Sequence, residues 1–156
     1  MPLNRALIGK VYPPTEPYEV SREKIREFAR ALHDDNPAYW DSTAARALGY
    51  PDVIAPPSFP MIISLEAERE IVHDPDLGLD DPRRFVHRDQ RFVYQRPVHA
   101  GDVLTVQVEI TRMDLLGDND VIAFEDVVRG ADGEHICTAY ATFVAFPADD
   151  AKQESK

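Results

Sequence analysis

The stretch from Ser58 to Ile71 limits what this chain can fold into more than any other. Phe59, Met61, Ile62, Ile63, Leu65, Ala67 and Ile71 spread apolar side chains around much of a helix's circumference. A helix of that kind cannot lie on a surface with one side wet, so it is predicted to be buried. Ser58 is placed to cap it, and Pro60 falls in its first turn, where a missing N–H costs little. Something must wrap this helix, and the C-terminal half supplies strands. Residues 85–94 are strand-like, and Leu104, Val106, Val108 and Ile110 alternate with Thr105, Gln107 and Glu109 in the two-residue period of a half-buried strand. Gly117-Asp118-Asn119-Asp120 reads as a turn, 121–129 as a strand and Asp132-Gly133 as a hairpin turn. The last strand sets Cys137, Ala139, Ala141, Phe143 and Ala145 on one face, mostly small side chains that would let a helix approach closely. Residues 73–84 read as a polar loop.

The N-terminal part is simpler. Residues 1–18 carry Pro13, Pro14 and Pro17 and are expected to run as an extended lead-in or edge strand. Ser21 caps a helix whose Ile25, Phe28, Ala29 and Leu32 fall at i, i+3, i+4 and i+7. Asp34-Asp35-Asn36-Pro37 stops it, because Pro37 disfavours helical geometry at Asn36. A short helix over 42–48 ends at Gly49 and Pro51, and 53–57 is a stiff loop leading into the buried helix. Early helices, one buried helix and then an antiparallel meander give an α+β fold with the sheet wrapped around the helix. A length of 156 residues suits one domain, taken as 1–146 with a frayed polar tail over 147–156.

Charge removes several classes of function. Lys and Arg total 17 against 28 Asp and Glu, a formal charge of −11, which disfavours nonspecific binding to nucleic acid or to an anionic membrane. No apolar run is long enough to span a bilayer, and the N-terminus has no signal-peptide core. Cys137 is the lone cysteine, so no internal disulfide forms, and a small core residue is the reading preferred for it. A cytoplasmic location is expected. His33, His73, His87, His99 and His135 are scattered without metal-ligand spacing, so neither metal nor cofactor is expected.

Three segments carry a family resemblance. Asp34-Asp35-Asn36-Pro37-Ala38-Tyr39 resembles the D-x-N-P-x-H hydratase motif of MaoC-like proteins, with the last position changed. Gly49-Tyr50-Pro51-Asp52-Val53-Ile54-Ala55-Pro56-Pro57-Ser58-Phe59 resembles that group's approach to its central helix. Arg96-Pro97-Val98-His99-Ala100-Gly101-Asp102, after Asp89-Gln90-Arg91-Phe92, resembles its strand–turn–strand signature. The likeness covers most of residues 5–146 and implies a hotdog fold, an antiparallel sheet around a long buried helix. It is nearest to the MaoC-like domain of helper subunits in heterodimeric (3R)-hydroxyacyl-ACP dehydratases of actinobacterial type.

The resemblance also says what is missing. Dehydrating a 3-hydroxyacyl thioester takes a base for the C2 proton, an acid for the C3 hydroxyl and a backbone N–H for the thioester oxygen. The motif implies a catalytic Asp and His with an Asn that positions the carboxylate. Asp34 matches the Asp, Asn36 the Asn, and Tyr39 stands in the His place. A phenol, with a reference pKa of about 10, is a poor proton acceptor near neutrality, and losing a positioned acid or base typically costs roughly 10²–10⁴ in rate. The loop before the helix also has no glycine where active members let the thioester come close. Each residue has a plainer reading: Asp34 and Asn36 can equally cap a turn, Tyr39 and Trp40 can be packing aromatics, Ser58 a helix cap, and Glu66 and Glu68 a solvent-facing helix side. Arg83, Arg84 and Arg96 could meet a pantetheine phosphate, or simply keep a surface wet. His87, on a strand expected near the ligand groove, is the candidate substitute base, with a structural role preferred.

The sequence therefore carries Asp34 as the motif carboxylate and Asn36, Tyr39, Pro57, Ser58, Phe59 and His87 as candidate substrate-binding residues. The expected ligand is an acyl-CoA or acyl-ACP thioester. The first reading is a subunit that binds the acyl chain and pairs with a catalytic MaoC-type chain. The alternatives are an independent hydratase or thioesterase using Asp34 or Glu66 with another base, and a non-catalytic acyl-thioester-binding homodimer.

Overall fold

The structure, a computed structural model, describes residues 3–79 and 81–147. Apart from Pro147, the tail expected to fray lies outside the described residues. Helix α1 (Arg22–Ala31) starts as expected, the Ser21 side chain accepting from the Lys24 N–H. Its apolar stripe buries Ile25 and Ala29 and leans Phe28 on the core, while Leu32 at its end stays exposed. His33 then reverses the chain in the left-handed region, at φ 54°. Pro37 starts a helix as well as stopping one. Asn36 caps the four-residue α2 (Pro37–Trp40), with Pro37 in its first turn, a use of proline that the helix-breaking reading passes over. Asp41 caps α3 (Ser42–Ala47).

Helix α4 (Met61–Val72) is the buried helix. Pro60 occupies its cap position and no side chain caps it, so Ser58 is not the cap it was expected to be. The reason is a tight turn just before the helix, in which the Phe59 N–H donates to the Pro56 carbonyl and the Met61 N–H to that of Ser58. Ile63, Ser64, Ala67, Glu68, Ile71 and Val72 are buried, and Met61, Ile62 and Leu65 half-buried. The loop expected after it holds two short 3-10 turns, Pro75–Leu77 and Pro82–Arg84. Among the described residues no helix is long and apolar enough to cross a membrane.

Strands β1 (Tyr18–Glu19), β2 (Phe85–Tyr94), β3 (Val103–Leu116), β4 (Asn119–Arg129) and β5 (His135–Ala145) form one antiparallel sheet in the order β1-β3-β4-β5-β2. β3 outruns the alternation that ends at Ile110, because a register shift between Ile110 and Arg112 resets the pattern and pairing continues to Leu116 opposite Asn119. Further shifts lie between His87 and Asp89 and between Val128 and Arg129. Bulges of this kind bend and twist strands, and the sheet curls with α4 packed on β3. The lead-in runs along the far side of β3: Gly9, Tyr12 and Thr15 N–H groups donate to the Ile110, Val108 and Val106 carbonyls. That edge is covered. The other edge, β2, has β5 on one side and, among the described residues, no strand on the other, with Val86 and Val93 exposed.

Candidate active site

The changed hydratase motif forms the turn between α1 and α2. Asp34 Oδ1 accepts from the Asn36 N–H, and Asn36 Oδ1 from the Ala38 N–H, at 3.1 Å each. The Asp34 carbonyl accepts from the Trp40 indole N–H at 3.0 Å. Both motif side chains therefore do the work of turn caps. This geometry fills the plainer role for each.

Tyr39 is buried, at 7% exposure. Its phenol faces the Asn36 side chain, with Asp34 and Tyr50 near enough to act on its charge. Burial pushes the phenol above its usual range first, and the negative field of Asp34 adds to that. A tyrosine held there stays protonated near neutrality. It can donate a hydrogen bond but cannot take the proton that an imidazole would.

Tyr39 opens onto a small cavity of about 220 Å³ that Ile54, Ala55, Pro57, Tyr94 and Pro97 complete. The Tyr94 hydroxyl donates to the Pro57 carbonyl at 2.6 Å, tying the end of β2 to the loop before α4. Burial raises this phenol too, with Cys137 and Tyr39 close by. The fold thus brings Asp34, Asn36, Tyr39 and Pro57 together. Tyr94, Ile54, Ala55 and Pro97 join them from segments whose motifs were legible, although their place in the cavity was not.

The remaining expected site residues lie elsewhere. Phe59 is fully buried and meets Phe28 edge-on, ring centroids 5.4 Å apart, so it is a core residue with no face for a ligand. His87 is seven residues before Tyr94 on β2, on the order of 20 Å along the strand at about 3.3 Å per residue. Its ring bonds Gln90 at 3.0 Å and packs on Phe143. The rings of His73, His99 and His135 are likewise hydrogen-bonded locally, to the Arg69 carbonyl, the Ala100 carbonyl and Thr138.

The thioester oxygen would need free N–H donors at the start of α4. Pro57 and Pro60 have none. Phe59, Met61, Ile62 and Ile63 donate theirs to the carbonyls of Pro56, Ser58, Phe59 and Pro60. Ser58 is the one residue of this turn whose N–H makes no backbone hydrogen bond among the described residues. Arg96, offered as a phosphate ligand, is instead a clamp: it bonds Asp102 through two nitrogens at 2.9 Å each and Glu134 at 2.9 and 2.8 Å. Gly101, at φ 91°, lets the turn between Arg96 and Asp102 close so that Asp102 also accepts from the His99 N–H. Arg83 pairs with Asp81, and Arg84 donates to the Phe146 carbonyl.

Comparison with known proteins fits this geometry. The family model described as FAS1-like, dehydratase domain region, matches residues 6–139. The chain belongs to this family. A UPF0336 protein of Streptomyces coelicolor is 51% identical over 97% of this chain and 100% of its own length. A UPF0336 protein of Thermobifida fusca is 46% identical over 92% and 94%. Among solved structures, the C-terminally truncated HadBC (3R-hydroxyacyl-ACP dehydratase) complex of Mycobacterium tuberculosis superposes with a TM-score of 0.80 at 33% identity, covering 89% of this chain and 97% of that one. A MaoC-like dehydratase superposes at 0.84 and 34% identity, over 92% of this chain and 43% of the other. The fold is therefore the hotdog fold of MaoC-like dehydratases, as the motifs implied, and the family's hydratase motif here ends in tyrosine.

Proposed function

We propose that this chain is the acyl-binding subunit of a (3R)-hydroxyacyl-thioester dehydratase and pairs with a separate MaoC-type chain that performs the proton chemistry. One observation carries the reading: on an intact dehydratase scaffold, a buried, protonated phenol stands where the motif histidine belongs. The start of α4 supports it, because its turn leaves only the Ser58 N–H uncommitted for a thioester oxygen. The likeness to the HadBC complex, a (3R)-hydroxyacyl-ACP dehydratase, supports the substrate class. The long open edge of β2 supports a partner, since unpaired N–H and C=O groups beside exposed Val86 and Val93 are a ready surface for a second sheet.

The test is reconstitution. The chain is purified alone and together with a MaoC-type chain that keeps the Asp and His of the motif, and hydration of a crotonyl thioester is followed for each. The chain alone should be inactive, and the pair should form a complex more active than the partner alone. Hydration by the isolated chain, abolished by Asp34→Asn, would instead make it an independent enzyme.

A further inference from the structure

Ser64 and Glu68, one helical turn apart on α4, face Asp126 in the middle of β4. Glu68 is 1% exposed, and Ser64 and Asp126 are fully buried. Ser64 Oγ and all four carboxyl oxygens have no well-formed hydrogen bond among the described residues, although the side chains are close enough to act on one another's ionisation. Buried polar groups are nearly always paired, and apolar side chains would hold a helix on a sheet at least as well. Packing alone gives no reason for two acids in this place. Apart from one another, they have no partner among the described residues.

Glu68 also lines a cavity. About 390 Å³ lies between the C-terminal half of α4, the Pro82–Arg84 turn and the adjoining ends of β2 and β5. Leu65, Val72, Pro82, Phe85 and Phe143 make its walls, and the last two stack flat with centroids 4.8 Å apart. Such walls suit an alkyl chain, but an alkyl chain would leave Glu68 as it is. A carboxyl group that keeps its proton offers one O–H donor and an acceptor, which a hydroxyl group satisfies both ways and a ketone satisfies once. Arg69 and Arg83 at the same cavity oppose an incoming cation, and both already pair with carboxylates, Glu66 and Asp81, which offsets their pull on an anion. A neutral oxygen meets neither objection.

We infer that this groove binds an acyl chain bearing a hydroxyl or keto oxygen along its length, and that Glu68, backed by Asp126, recognises that oxygen. The Glu68 oxygens are closed to water in the free protein, so binding turns the side chain about its three single bonds from Asp126 toward the groove. The ligand's identity as an acyl chain rests on the function proposed above; the polar recognition rests on Glu68 and the groove.

The experiment measures binding directly on the purified full chain, with dodecanoate, a mid-chain hydroxydodecanoate and a mid-chain ketododecanoate as probes in competition with a fluorescent fatty acid. The oxygenated chains should bind about tenfold more tightly than dodecanoate, the gain of one well-placed buried hydrogen bond. Glu68→Leu should abolish that preference while keeping or raising affinity for dodecanoate, and Glu68→Gln, which keeps a donor and an acceptor, should retain part of it. If Glu68→Leu does not fold, Asp126→Asn serves, with a reduced preference expected. Equal affinities in the unaltered chain, no binding of any probe, or a preference that survives both variants overturns the inference. Crotonyl hydration by the unaltered chain with its partner is scored separately, so failure there leaves this result standing or falling alone.

Discussion

The two buried acids make the stability of this protein depend on pH in an unusual direction. Both carboxyls are pushed well above their ordinary range, Glu68 by burial and then by the charge of Asp126, and Asp126 chiefly by burial. Glu125 raises Asp126 further, and the Cys137 thiol, itself pushed up to about 12 by burial, feels the field of Asp126. A carboxyl raised on folding binds its proton more tightly in the folded state. Between its unfolded and folded pKa the native protein therefore holds more protons than the unfolded chain, and stability falls as pH rises. One proton retained from pH ~4.5 to pH ~7.5 costs about 4 kcal/mol over that window, at about 1.4 kcal/mol per unit. With an m-value of about 2 kcal/mol/M, the urea midpoint should drop by about 2 M across it. Glu68→Gln removes the larger part of the slope, and Glu68→Gln with Asp126→Asn removes nearly all of it. Asp52, Asp74, Asp81 and Glu134, each lowered mainly by hydrogen bonds to a neighbouring cation or backbone N–H, add a slope of opposite sign at more acid pH, common to every variant. Urea midpoints at four pH values thus isolate the pair by difference. Parallel profiles for the unaltered chain and Glu68→Gln would refute the reasoning.

Other outcomes follow from the same geometry. Asp34→Asn keeps the Oδ1 acceptor of its turn, so the unfolding free energy from urea titration should match within about 0.5 kcal/mol and the complex with a catalytic partner should hydrate crotonyl thioester within about threefold of the unaltered rate. A loss of about 10² would make Asp34 a working acid or base. Val93→Lys on the open edge of β2 should weaken pairing with a partner at least about tenfold, read by analytical ultracentrifugation, with little change in the melting of the lone chain. Arg96→Leu leaves Asp102 buried without its cation and should cost about 3 kcal/mol, lowering the melting temperature by about 6–12 °C in calorimetry.

How much of this could be read in advance depended on the kind of signal. The apolar helix, the cap at Ser21 and the strand over 85–94 were legible because periodicity and capping are local, and the structure places each as expected. The far half of β3 was not, since a bulge after Ile110 breaks the two-residue period that identifies a strand. α2 was missed because proline marks both where one helix ends and where the next begins. Glu68 was the costliest error of reading. A glutamate flanked by Ala67 and Arg69 on a helix with Glu66 exposed looks like a wet face, and only the position of β4 shows that Asp126 meets it in the core. For His87 the limit is the complementary one: a strand's period fixes the side it faces, but not which end of the sheet lies beside the motif.

The loss of the histidine does not stand alone on this scaffold. A base at position 39 would still act beside an Asp34 oxygen already taken by the Asn36 N–H, and beside a helix whose first turn leaves only the Ser58 N–H uncommitted. Transition-state stabilisation by preorganised N–H groups is often the largest single contribution to catalysis, so few donors remain here to supply it. The same turn does something useful for a binding subunit. It locks the loop through the Tyr94–Pro57 hydrogen bond, buries Phe59 against Phe28 and fixes the start of α4, so that the groove 390 Å³ in size at the other end is held by a rigid helix. The changed motif and its cavity lie toward the start of α4, and the buried acids Glu68 and Asp126 lie toward its other end.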